Sequence, residues 1–121
     1  MRNTIKNHKD FHIDETDPSA RAAFFVVRAK PAKFPSDPRV GFMVTKRTFK
    51  LAVHRNRAKR MLRDWARFCS DLMSPEYDYI FFAYASILGA SREDGRAAMV
   101  RALQHISRKY GGKKSQNLAK N

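Results

Sequence analysis

Val53-His54-Arg55-Asn56-Arg57-Ala58-Lys59-Arg60-Met61-Leu62-Arg63-Asp64-Trp65-Ala66-Arg67 decides how the rest of the chain is read. Between Lys46 and Arg67 stand nine Lys or Arg residues and a single acid, Asp64. On a helix turning about 100° per residue, with Arg55 set at zero, these charges sort to one side. Arg55, Lys59, Arg63 and Arg67 form an i, i+4 ridge with Asn56 and Arg60 beside it. Ala58, Met61, Leu62, Trp65, Phe68, Cys69 and Leu72 gather opposite. One face suits a protein core and the other a polyanion.

The pitch of the ridge supports the second half of that statement. Four helical residues rise about 6 Å, close to the separation of neighbouring phosphates along a nucleic-acid strand. Arg adds a planar fork that donates two hydrogen bonds to one phosphate, which Lys cannot do. A merely solvated face would interleave acids with bases, because like charges at i, i+4 repel by a few tenths of a kcal/mol each. Here the repulsion runs the length of the face.

The whole chain agrees. Its 121 residues make one domain, residues 1–121, with enough length for a single core. A net charge of +14 is typical of nucleic-acid binders, whose affinity falls steeply with salt as counterions are released. A hydrophobic fraction of 43% with 12% aromatics is too apolar for a disordered basic tail. The one cysteine, Cys69, rules out an internal disulfide and a CxxC metal or redox pair; on the apolar side of the helix it reads as a buried, inert thiol. No apolar run approaches the roughly 20 residues of a membrane span. MRNTIKNHKDF at the start lacks the hydrophobic run of a signal peptide, so a cytoplasmic location and no membrane partner are expected.

Residues 1–22 read as irregular: a short helix ending near Phe11, then the acidic loop HIDETDPSA with Asp14, Glu15 and Asp17. Ala23 to Ala29 is rich in Phe and Val and reads as a strand; Pro31, Pro35 and Pro38 punctuate a loop; Arg39 to Lys46 reads as a second strand. The basic helix starts between Lys50 and Val53, with no N-cap beyond Thr48, and runs to about Met73 before Ser74-Pro75. Tyr77 to Tyr84 is a further strand. Ser91 is the expected N-cap of a last helix with Glu93 and Asp94 in its first turn and Met99, Ala102, Leu103, Ile106 and Tyr110 at core spacing. Gly111-Gly112 is expected to end it, leaving 111–121 as a loose basic tail. The predicted class is α+β, a sheet covered by helices.

PRVGFMVTKR, AVHRNRAKRMLRDWAR, YDYIFFAY and the closing helix together resemble the protein subunit of bacterial ribonuclease P over about residues 38–110. The Arg55-Asn56-Arg57 triplet alone would be weak. With Lys59-Arg60, Arg63 and Arg67 in register, and with the two flanking strands, it is specific. The resemblance implies a two-layer α/β sandwich of order αβββαβα, with a left-handed βαβ crossover around the basic helix (ribosomal protein S5 domain 2-like). It implies a ribonucleoprotein endonuclease in which a catalytic RNA subunit removes the 5′ leader of precursor tRNA, using Mg²⁺ held mainly by RNA and substrate phosphates. The protein then supplies no catalytic residue, and no metal ligand is singled out in it. It pairs 1:1 with ribonuclease P RNA and holds the single-stranded leader in a cleft between the sheet and a helix.

Carried over residue by residue, Lys46, Arg47, Arg55, Asn56, Arg57, Lys59, Arg60, Arg63 and Arg67 take the RNA-contact role. Arg57 lies about 200° from Arg55 on the wheel, close to the apolar side, which suits bracing the fold through a carboxylate or a backbone carbonyl. Asn56 suits a phosphate, a 2′-OH or a neighbouring side chain. Phe11 matches the family's cleft phenylalanine, where stacking on a base is worth about 1–3 kcal/mol; Phe24, Phe42 and Tyr79 are the other candidates for that cleft or for the core. Where many members place a second apolar residue one helical turn later, this chain has Asp14 and Glu15, which would repel a leader phosphate.

Three rival readings remain at this level. A protein that is itself a nuclease needs carboxylates gathered around metal or an acid–base His pair; His8 and His12 stand four apart without a third ligand, and His54 and His105 have no evident partner. A non-catalytic RNA-binding module of ribosomal type would share the composition. A basic amphipathic helix for membranes or a calmodulin-like partner would not be embedded between strands.

Overall fold

Alternation along Phe25–Pro31 builds the middle of the molecule: Phe25, Val27 and Ala29 are fully buried while Val26, Arg28 and Lys30 are half-exposed. The computed structural model describes residues 3–5, 11 and 17–119 and, at 3 and 110–119, the backbone alone. Five strands form one sheet: β1 (Asn3–Thr4), β2 (Ser19–Arg21), β3 (Phe25–Pro31), β4 (Arg39–Met43) and β5 (Tyr77–Ala83). Helix α1 (Ala52–Phe68) connects β4 to β5, and α2 (Arg92–Ala119) closes the chain. Short 3₁₀ turns follow α1 at Ser70–Leu72 and precede α2 at Ala85–Gly89.

The sheet order is β1-β4-β5-β3-β2. β1/β4 and β4/β5 run parallel; β5/β3 and β3/β2 run antiparallel. Parallel neighbours need a crossover, and α1 is the crossover between β4 and β5, so the expected βαβ unit is present. Register brings Phe25 beside Ala83, Val27 beside Phe81, Ala29 beside Tyr79, and Phe42 beside Phe81. That face packs against Ala58, Leu62, Trp65 and Ala66 of α1 and Ala98, Met99, Ala102, Leu103 and Ile106 of α2 in one core.

The run β2-β3-β4-α1-β5-α2 is the expected βββαβα. Four local expectations need correction. Residues 3–4, read as part of a short helix, instead form an edge strand: Asn3 pairs with Arg39, Thr4 with Val40, and the Ile5 N–H donates to the Val40 carbonyl at 2.8 Å. A two-residue strand is dictated by its neighbour, not by local propensity. Residues 6–10 and 12–16 of that helix and the acidic loop, with His8, Asp10, His12, Asp14 and Glu15, lie outside the described residues, and Ser19–Arg21, read as irregular, is strand β2, paired antiparallel with β3. The α1 helix ends at Phe68 rather than near Met73, relaxing into the 3₁₀ turn. And α2 passes through Gly111-Gly112 to Ala119. A mid-helix glycine weakens a helix by about 1 kcal/mol but does not forbid it, and no proline follows.

Ser91 caps α2 as expected, its Oγ accepting the Asp94 N–H at 3.0 Å. Cys69 is buried with Sγ 3.9 Å from the Arg96 carbonyl. Burial pushes the thiol up from the ordinary 9.0 to about 11, against the lowering pull of the Arg96 charge. Favouring the protonated thiol, the fold gains a contribution that is complete below pH 9 and fades as pH rises towards 11. Alkylation by iodoacetamide at pH 8 should therefore be at least about tenfold slower in the native chain than in urea, since only the thiolate reacts; equal rates would place the thiol at the surface.

Candidate nucleic-acid interface

The α1 helix begins without a side-chain cap at Leu51 and without an acid in its first turn. Its exposed N–H groups and dipole thus leave a positive end. The approach to it is a tight turn in which Thr45 Oγ1 accepts the Thr48 N–H at 3.2 Å and the Phe49 N–H donates to the Thr45 carbonyl at 2.9 Å. That turn projects Lys46 and Arg47, both exposed. Beyond it Asn56, Arg57, Lys59, Arg60, Arg63 and Arg67 are exposed along the helix.

Arg55 and Arg57 exchange the roles expected of them. Arg55 is half-buried, and its Nη1 donates to the carbonyls of Phe49 (2.8 Å) and Lys50 (3.1 Å), tying the entry loop to the first turn. Arg57 is exposed. The reason is the true centre of the buried arc. Ala58, Leu62, Trp65, Ala66 and Cys69 centre about 40° from Arg55 and about 120° from Arg57 at 100° per residue. The same offset turns Phe68 outward to 56% exposure, where the Arg96 guanidinium covers its ring at 4.3 Å.

The one acid of the helix is cancelled within the fold. Asp64 faces Arg92 at 3.6 Å and Arg96 at 3.4 Å, both from α2. Sequence reasoning missed these partners, since nothing local joins residues so far apart in the chain. What faces solvent along α1 is consequently cationic.

A cleft of about 290 Å³ opens beside this face, between α1 and the β1–β4 edge. Phe11, Phe42, Met43 and Val44 give it apolar walls, and Lys59 and Arg63 give it two cations. The Arg63 guanidinium lies 5.9 Å from the Phe42 ring centre. Phe11 sits over Gly41, where a Cβ would approach its ring to 2.7 Å; only glycine admits the ring this close to the strand. Of the four expected cleft aromatics, then, Phe11 and Phe42 are brought together. Phe24 is half-buried and packs on Trp65 with ring centres 6.0 Å apart. Tyr79 is 2% exposed, and its hydroxyl accepts the Ser74 N–H at 2.9 Å. Both belong to the core. Met43 and Val44 are lining residues the sequence did not single out; their place at the end of a strand leading to a basic turn was the available signal.

Among the described residues no three His, Cys, Asp or Glu side chains gather where they could hold a metal ion, and no helix is long and apolar enough to cross a membrane. The face can bind phosphates and the cleft can stack and neutralise a strand.

The ribonuclease P family model matches residues 1–107. The ribonuclease P protein component of Caulobacter vibrioides is 37% identical over 81 residues, 65% of this chain and 54% of the relative. The chain thus spans about half the length of the curated relatives it matches. Among solved structures, the RNase P protein of Staphylococcus aureus superposes with a TM-score of 0.67 at 22% identity, covering 86% of this chain and 94% of that one. The protein from Thermotoga maritima gives 0.59 at 18% identity, covering 72% and 81%. At such identities the structural likeness speaks for the fold, and the match over residues 1–107 speaks for descent: the chain belongs to the ribonuclease P protein family.

Proposed function

We propose that this chain is the protein subunit of ribonuclease P, working in the cytoplasm as a 1:1 partner of a catalytic RNA that removes the 5′ leader from precursor tRNA. The observation that carries the reading is the exposed row of Arg57, Lys59, Arg60, Arg63 and Arg67 with its only acid, Asp64, taken up by Arg92 and Arg96. Arg60 and Arg67, with Lys46 and Arg47 ahead of the helix, face the RNA subunit. Lys59 and Arg63 stand at the cleft, where Phe11 and Phe42 offer rings to an unpaired leader base. Mg²⁺, held by RNA and substrate phosphates, supplies the hydrolytic chemistry. The protein's part is to neutralise and position.

The test is cleavage of a precursor tRNA by a bacterial ribonuclease P RNA at low Mg²⁺, with and without the chain. Stimulated cleavage at the mature 5′ end is expected; tight RNA binding without stimulation would leave a non-catalytic RNA-binding module. Arg60→Ala and Arg63→Ala should each weaken binding to the RNA subunit and lower the salt slope of log K by roughly one, with the circular dichroism of the fold unchanged. Wild-type slopes in both would remove the α1 face from the interface.

A further inference from the structure

A second cationic site lies at the other edge of the sheet. The cleft described above borders β1 and β4, whereas the order β1-β4-β5-β3-β2 puts β2 at the far side. There a cavity of about 390 Å³ opens between β2 and α2, ringed by Arg21, Arg101 and His105, all exposed, over a floor of alanines that includes Ala20, Ala98 and Ala102. Small side chains leave the volume open, and none of its lining residues is an acid. Arg101 and His105 are the first two members of an i, i+4 series that continues to Lys109, whose Nζ donates to the Ser19 carbonyl at 3.4 Å and so lays the series along β2. Successive members rise about 6 Å, a phosphate-to-phosphate pitch, and extend further than one phosphate ion can bridge.

We infer that this β2/α2 cavity is a second phosphodiester-binding site, which takes the backbone of an RNA segment other than the one lying on α1. The chain then joins two stretches of RNA across its sheet instead of binding one on a single face. The inference needs RNA as the partner but not the ribonuclease P assignment itself.

Amide chemical shifts of the full chain, titrated with an eight-nucleotide uridine oligomer, test it directly. In an Arg60→Ala/Arg63→Ala variant the amides at 20–23 and 98–105 should still move. In an Arg21→Ala/Arg101→Ala variant those movements should vanish while the α1 amides respond as before, and the salt slope for RNA should fall by about two. Response of the α1 amides alone in the wild type would overturn the second site. Equal shifts at 20–23 and 98–105 with inorganic phosphate would overturn the strand assignment, leaving a site for a single anion. Stimulated precursor cleavage alongside silent β2/α2 amides would sink this inference and spare the proposed function.

Discussion

Trp65→Ala should lower the stability of the fold by about 3–5 kcal/mol, a large share of the roughly 5–15 kcal/mol that a domain of this size possesses. The indole is 1% exposed, with the rings of Phe24 and Phe25 at 6.0 and 6.3 Å. It is also the surface on which α2 starts. A Cβ built at Gly95 would fall 2.0 Å from Cζ2 of the indole and 2.1 Å from Cε2, so the two helices meet with a glycine seated on a tryptophan. Truncation empties that seat, and a ring wedged between α1, α2 and β3 is not replaced by small movements of its neighbours. Gly95→Ala should disturb the same contact from the other side by about 1–3 kcal/mol of overpacking. Urea unfolding followed by circular dichroism, with a lowered midpoint and an unchanged m-value, is the measurement. A midpoint shift in Trp65→Ala equivalent to less than about 1 kcal/mol would contradict the packing argument.

The second large effect is expected at Asp78. This carboxylate is fully buried on β5, and its Oδ1 accepts the Arg39 N–H at 2.7 Å. Its Oδ2 faces Arg39 Nη2 at 3.4 Å and accepts the Lys33 N–H at 3.4 Å. It fastens the start of β4 and the preceding loop to β5. Asp78→Ala takes away the buried carboxylate that faces the Arg39 guanidinium, and breaking such a pair costs about 3–5 kcal/mol. The double variant Arg39→Met/Asp78→Leu should recover most of that loss, because hydrophobic residues of similar volume often replace a buried pair at little or no cost. A single variant as stable as the wild type, in the same urea assay, would show the pair to be dispensable.

These two sites also mark where the sequence was and was not readable. Trp65 declared itself, since a tryptophan four residues from Met61 and Cys69 on a helical wheel has one place to go. Asp78 did not: an acid inside an aromatic strand is anomalous locally, and its partner sits 39 residues away. The strands over Phe25–Pro31, Arg39–Met43 and Tyr77–Ala83 and the Ser91 cap were legible because their signals are local. The exchange between Arg55 and Arg57 was not, because a wheel gives relative angles and only the packed core fixes the zero. The cationic row itself was plain from spacing. Which aromatics line the cleft was not, because Phe24, Phe42 and Tyr79 are equally apolar in sequence; only the fold puts Phe42 on β4 next to the edge strand, Tyr79 on the central strand β5 and Phe24 ahead of β3 against Trp65.

The floor of the cleft is also a wall of the core. Phe42 lines the cleft below Arg63 and at the same time stacks on Phe81, with ring centres 5.9 Å apart and planes inclined by 23°. The Phe42 wall of the groove therefore shares the stiffness of the packed interior and needs no ordering before the groove is filled. The same sharing ties the shape of the groove to the packing of this chain. A substitution at Phe42 alters the groove and the packing on Phe81 together, whereas one at Phe11 or Lys59 alters the rim.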